Sequence, residues 1–171
     1  MGSGTAVAEV RRRLHNDDWG YETNCFVCEQ RNESGLRIPF FHDTEHDVVE
    51  AVFDLGDVYS GAPTLVHGGL QLAILDEAMA WATIAIAGKW ALTSTSSARF
   101  LGPVHVDVEH RVVAEVVDAD AESISTAARI VAPDGRDVTT AAASFVPIGE
   151  AVATRLIDEV HDEHRGFLAD E

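Results

Sequence analysis

Positive charge is what this chain lacks most. Its 171 residues hold 12 Lys and Arg against 29 Asp and Glu, a formal net charge of −17, and Lys89 is the sole lysine. A surface of that sign repels nucleic acid and anionic membranes at long range, so neither is expected as a partner. A polyanionic ligand would need arginines gathered locally. An uninterrupted hydrophobic span is missing too. The most apolar stretch, residues 66–87, carries Asp76 and Glu77 in its middle, where hydrocarbon would make them costly. The apolar run ahead of Arg11 is too short for a signal peptide, which makes the cytoplasm the expected compartment. Cysteine is scarce. Cys25 and Cys28 form a lone C-x-x-C, whereas a zinc site takes about four ligands. His15 or His42 would join them only by an accident of folding, and no βαβ context marks a redox pair. No metal is therefore assigned, and the two are expected to be thiols buried in a loop.

What is present is apolar content enough for one globular domain: 46% apolar and 24% charged residues. The stretch VHGGLQLAILDEAMAWATIAIA, wound as a helix, is apolar in nearly every direction, so it belongs inside a core. Before it, residues 5–15 suggest a short amphipathic helix with Val7, Val10 and Leu14 on one side. Leu36–Phe41 reads as a first strand, weakened by Pro39. Val48–Leu55 alternates, placing Val49, Ala51, Phe53 and Leu55 on one face. After the helix the chain reads as strands over 91–101, 105–118, 123–131 and 137–146, with a Pro133-Asp134-Gly135 turn before the last. A polar helix over 150–165 closes it. Domain organisation follows as an N-terminal extension (1–23), a core domain (24–148) and a C-terminal polar helix and tail (149–171).

The expected class is α+β: one long central helix wrapped by a curved antiparallel β-sheet, with the late strands in a meander of hairpins. One sheet cannot cover so apolar a helix on every side. A homo-oligomer is therefore expected.

Residues His67-Gly68-Gly69 open the helix, Asp76 lies nine residues after the histidine, Thr93 stands near the start of the next strand, and Phe100-Leu101-Gly102-Pro103 ends that strand. This pattern, over about residues 24–148, resembles the hotdog-fold acyl-CoA thioesterases, including the phenylacetic-acid-pathway type. The Cys-Phe-x-Cys…Gly-Leu-Arg run resembles a lead-in of one branch of that family. The chain departs from several members at Gly61-Ala62-Pro63, where they carry a polar residue before the H-G-G. The resemblance implies a hotdog fold, hydrolysis of an acyl-CoA thioester to free acid and coenzyme A, no separate cofactor, and a site shared between subunits.

Elementary chemistry fits those positions. A helix N-terminus offers free N–H groups and a positive dipole end to an oxyanion. A glycine lets a carbonyl approach the backbone, so the Gly68 N–H is the candidate oxyanion donor and His67 a candidate aid in placing the thioester. Asp76 is the candidate catalytic carboxylate, either activating water or attacking directly. Thr93 is the candidate to hold either the water or that carboxylate. Gly68 and Asp76 of one helix are eight residues apart, about 12 Å at the helical rise, too far to serve one carbonyl carbon. That distance favours pairing Asp76 with a second copy's Gly68. Gly69, Glu77, Arg99 and Arg136 are candidate substrate contacts, the arginines for coenzyme A phosphates. Glu77 is about 100° from Asp76 around the helix, which favours a structural or interface role for it. A non-catalytic acyl-thioester-binding protein is the alternative. A hydratase fits less well, because Trp81 stands where a histidine would be needed. Acyl identity, and coenzyme A against a carrier protein, stay open.

Overall fold

The computed structural model describes residues 10–20, 22–157 and 159–169. The chain runs β1 (Arg11–Arg13), β2 (Phe41–Asp43), β3 (Val48–Phe53), β4 (Ser60–Ala62), β5 (Leu65–Val66), α1 (Gly68–Ala85), β6 (Ala91–Phe100), β7 (His110–Ala119), β8 (Ile124–Val131), β9 (Asp137–Pro147) and α2 (Glu150–Ile157). Seven strands form one antiparallel sheet in the order β1-β2-β3-β7-β8-β9-β6, and β4 and β5 pair separately. Helix α1 packs across β3, β7, β8, β9 and β6.

The helix supplies the centre of the core. Ile74, Leu75, Ala78, Met79, Trp81 and Ala82 are buried, against Val49, Ala51 and Phe53 of β3, Val112 of β7, Ile124 and Ile130 of β8, and Phe145 of β9. Burying side chains of this size contributes roughly 1.5–3 kcal/mol each. The helix stops where Gly88 takes φ 66° and the Lys89 N–H reaches back to the Thr83 carbonyl, the left-handed ending that glycine makes easy. One stripe of α1 is not covered by the sheet. Gly69 and Leu72 are exposed, and Ala73, Asp76 and Ala80 are half-buried, the spacing of a single helical face.

Four element boundaries differ from the sequence reading. Arg11–Arg13 is a strand paired with Phe41–Asp43, not part of a helix; Val7 lies outside the described residues. The stretch 36–40 is broken by Arg37 at φ 54° and spends its hydrogen bonds on the Phe26 and Val27 carbonyls and on the Leu14 N–H, so strand pairing begins only at Phe41. Residues 106–108 turn, with Asp107 at φ 56°, and β7 starts at His110. The C-terminal helix stops at Ile157, and a separate 3-10 turn covers Asp162–Phe167. That turn is docked: the Trp90 N–H bonds to the Phe167 carbonyl at 2.8 Å, and the Phe167 ring meets Trp19 edge-on at 4.9 Å.

The meander is shorter than expected. Strands β7, β8 and β9 follow one another, but β6 pairs with β9, across the sheet from where sequence order would place it. The apolar helix forces this. Its C-terminus delivers the chain to the far side of the sheet, so β6 becomes an edge with most of its residues exposed.

Candidate functional site

The entry to α1 is built by its own backbone. The Tyr59 carbonyl accepts the His67 N–H, and the Val104 carbonyl accepts the Val66 N–H. Gly61 comes so close to His67 that an added Cβ would lie 3.0 Å from its Cα. The buried Gln71 clamps this turn from inside. Its Nε2 donates to the Val66 carbonyl at 3.0 Å, and its Oε1 accepts from the buried Thr139 hydroxyl at 2.6 Å. Sequence reasoning missed Gln71; a polar residue inside an otherwise apolar helix was the available signal.

His67 caps the helix. Its Nδ1 accepts the Gly69 N–H at 2.9 Å, and its carbonyl accepts the N–H groups of Leu70 and Gln71. The imidazole thus does what an Asn or Ser side chain does at other helix starts. The Gly69 donor is spent on it, leaving the Gly68 N–H as the helix-start donor not engaged by the cap. An added Cβ at Gly68 would meet the Phe100 ring at 3.4 Å, so this backbone faces the end of β6.

Two and a half turns on, the Asp76 Oδ1 accepts a hydrogen bond from the Thr93 hydroxyl at 3.1 Å. A bulge in β6 makes the pairing possible. Thr93 opposes Phe145, but Thr95 opposes Ser144, so one residue is extra. Thr93 and then Ser96, Ala98 and Phe100 therefore lie on the helix-facing side, opposite Phe145, Ala143, Ala141 and Thr139. Asp76, Leu72 and Ala73 of α1 with Ser96, Ala98 and Phe100 of β6 line an open depression of about 390 Å³. Its surroundings are apolar and uncovered: Leu72 is 41% exposed, Phe100 55% and Leu101 54%.

The remaining candidates are placed elsewhere. Arg99 is exposed on β6, one residue out of register with Ala98 and Phe100, which puts it on the outer face of the sheet. Arg136 lies in the turn before β9, 2.7 Å from Asp134. Glu77 leaves the depression altogether. Its carboxylate gathers with the Cys25 and Cys28 sulfurs, all three ligand atoms lying within 4.8 Å of one another. Burial pushes the Glu77 carboxyl up to about 8, with the Cys25 sulfur adding to the effect. Cys25 is held well below the ordinary thiol range by the hydrogen bond from Cys28 and by backbone N–H groups, and Cys28 is correspondingly held up. The C-x-x-C is therefore not an isolated pair: the central helix adds an acid to it.

Comparison with known proteins agrees with this architecture. Residues 64–139, from β5 into β9, match the family model described as Thioesterase superfamily. The chain has a hotdog fold, and its central segment is what matches that family model. Among solved structures, a thioesterase superfamily protein is 25% identical with a TM-score of 0.63, covering 67% of this chain and 56% of its own length. The chain thus spans little more than half of that relative. An acyl-CoA hydrolase from Staphylococcus aureus, solved with butyryl coenzyme A, is 20% identical with a TM-score of 0.57, covering 61% of this chain and 65% of its own. The PaaI protein of the E. coli phenylacetic acid degradation operon is 18% identical with a TM-score of 0.55, covering 58% and 75%. No curated protein sequence matches the chain. Among the described residues no helix is long and apolar enough to cross a membrane.

Proposed function

We propose that the protein is an acyl-CoA thioesterase whose site is completed by a second copy of the chain. The observation that carries this reading is the Asp76–Thr93 hydrogen bond, with Asp76 lining an open depression between α1 and the edge strand β6. Asp76 serves as the catalytic carboxylate, and Thr93 fixes its orientation. The thioester oxygen is held by the helix-start N–H of Gly68 of the partner subunit, because eight residues of helix, about 12 Å, separate the two groups within one chain. His67 holds that helix start in shape through its cap on Gly69. The edge of β6, the exposed Leu72, Phe100 and Leu101, and the bare stripe of α1 support a homo-oligomer whose interface covers the depression. Coenzyme A enters only as part of the substrate. Of the candidate phosphate contacts, Arg136 lies in the turn just before β9, and the neighbouring Thr139 of β9 is paired with Phe100.

Thiol release from short, medium, long and aromatic acyl-CoAs, measured on wild type and Asp76→Ala side by side, tests the proposal. Turnover that falls by roughly 10²–10⁴ in a folded Asp76→Ala variant supports it. Acyl-CoA binding without turnover in wild type overturns the enzyme reading in favour of a thioester-binding protein.

A further inference from the structure

The cluster of Cys25, Cys28 and Glu77 lies apart from the Asp76–Thr93 depression and has no part in the reaction proposed there. Cys25 and Cys28 sit on a turn, and the Cys25 sulfur receives two backbone N–H groups, from Val27 and from Cys28, each at 3.3 Å. The Cys28 sulfur receives the side-chain amide of the buried Asn16 at 3.5 Å, from a different segment. Each sulfur thus accepts from at least one N–H donor, and the outer partners that orient a metal-bound sulfur are of this kind. A third acceptor, the Glu77 carboxylate, comes from α1. Three ligand atoms within 4.8 Å of one another share a point about 2.8 Å or less from each, close to the roughly 2.0–2.3 Å of zinc–oxygen and zinc–sulfur bonds. Gathering three anionic ligands in a largely buried place is costly without a cation between them. Two soft sulfurs and one carboxylate select a borderline divalent ion over magnesium or calcium.

We propose that Cys25, Cys28 and Glu77 bind a divalent zinc-class cation, which ties the N-terminal turn to the central helix directly beside Asp76. The fourth position is taken by water. A cavity of about 220 Å³ reaches Cys28 and Asn16. Trp81, one helical turn beyond Glu77, also lines it, and its buried Nε1–H has no hydrogen-bond partner among the described residues. A water on the metal gives that indole an acceptor. The sequence alone did not indicate such a site because spacing offers only two ligands; the fold brings the third from about fifty residues away.

Cobalt(II) titration of the full chain, stripped with a chelator under reducing conditions, is the test. The expected result is one equivalent bound, with an intense thiolate-to-cobalt charge-transfer band and the visible bands of a tetrahedral site, both displaced by zinc. Cys25→Ser and Cys28→Ser should each lose the charge-transfer intensity. Glu77→Gln, which leaves both sulfurs and the volume in place, should weaken binding by roughly tenfold or more. Absence of the charge-transfer band in wild type overturns the proposal. So does an unchanged affinity in Glu77→Gln, which would remove the carboxylate from the ligand set, and so does a Cys25–Cys28 disulfide in the protein as isolated. Each readout is independent of thioester turnover, so failure here leaves the function proposed above standing, and failure there leaves this site standing.

Discussion

Asp76 and Glu77 are neighbours in sequence with separate surroundings, because consecutive helical residues point about 100° apart. Asp76 faces the edge strand and meets Thr93; Glu77 faces the cysteine turn. Replacing Thr93 with alanine should lower kcat by roughly three- to tenfold with KM little changed, the net worth of one hydrogen bond that orients a reacting group; steady-state kinetics on the preferred acyl-CoA measures it. A second residue-scale prediction concerns acid. Arg31 holds the Glu29 carboxyl down to about 2 from its ordinary 4.5, through a 2.9 Å contact and a backbone hydrogen bond. A carboxylate whose folded value is depressed adds stability above its unfolded value and loses it as pH falls toward its folded one. Glu29→Gln should therefore be less stable than wild type at neutral pH. The difference should shrink as pH drops from about 4.5 toward about 2, read from urea midpoints across that window.

At the scale of elements, α1, β3, β8 and β9 were legible because one strong pattern governed each: an all-round apolar run, a clean alternation, or a turn ending in Pro-Asp-Gly. Val49, Ala51 and Phe53 are buried as their alternation required. The H-G-G helix start was legible from its residues, whereas Thr93 was singled out through the family resemblance, which left open whether it held Asp76 or a water. Strand order was not legible, since nothing local in residues 91–100 tells the chain to pair with β9 rather than β7. Nor did alternation reveal the bulge, or a long-range clamp such as Gln71–Thr139. That clamp gives the third prediction. Gln71→Leu leaves the Thr139 hydroxyl and the Val66 carbonyl buried without their partner, which should cost about 1–3 kcal/mol by denaturant unfolding. It should also slow turnover, because the turn it holds carries Gly68.

The whole molecule is strongly acidic, and among the described residues the long edge strand β6 is unpaired on its outer side and a stripe of α1 is uncovered. If the site is shared between copies, activity is a property of the assembly. Specific activity should then fall on dilution below the dissociation constant of the oligomer, in step with the loss of the larger species by analytical ultracentrifugation. A constant specific activity across a dissociation seen by ultracentrifugation would show that one chain suffices. Salt should move the same equilibrium toward association, because copies that each carry −17 repel less when screened. The bulge in β6 has its own consequence. Thr93 and Phe100 are seven residues apart, an odd count that a regular strand would send to opposite faces. The extra residue restores parity. Deleting Ser94 would leave the two residues six apart on a regular strand, so the hydroxyl and the aromatic ring would still share a face. The bulge thus lets an odd spacing in the sequence serve an even spacing in the sheet, and a single deletion that removes it should be tolerated where a single insertion beside it should not.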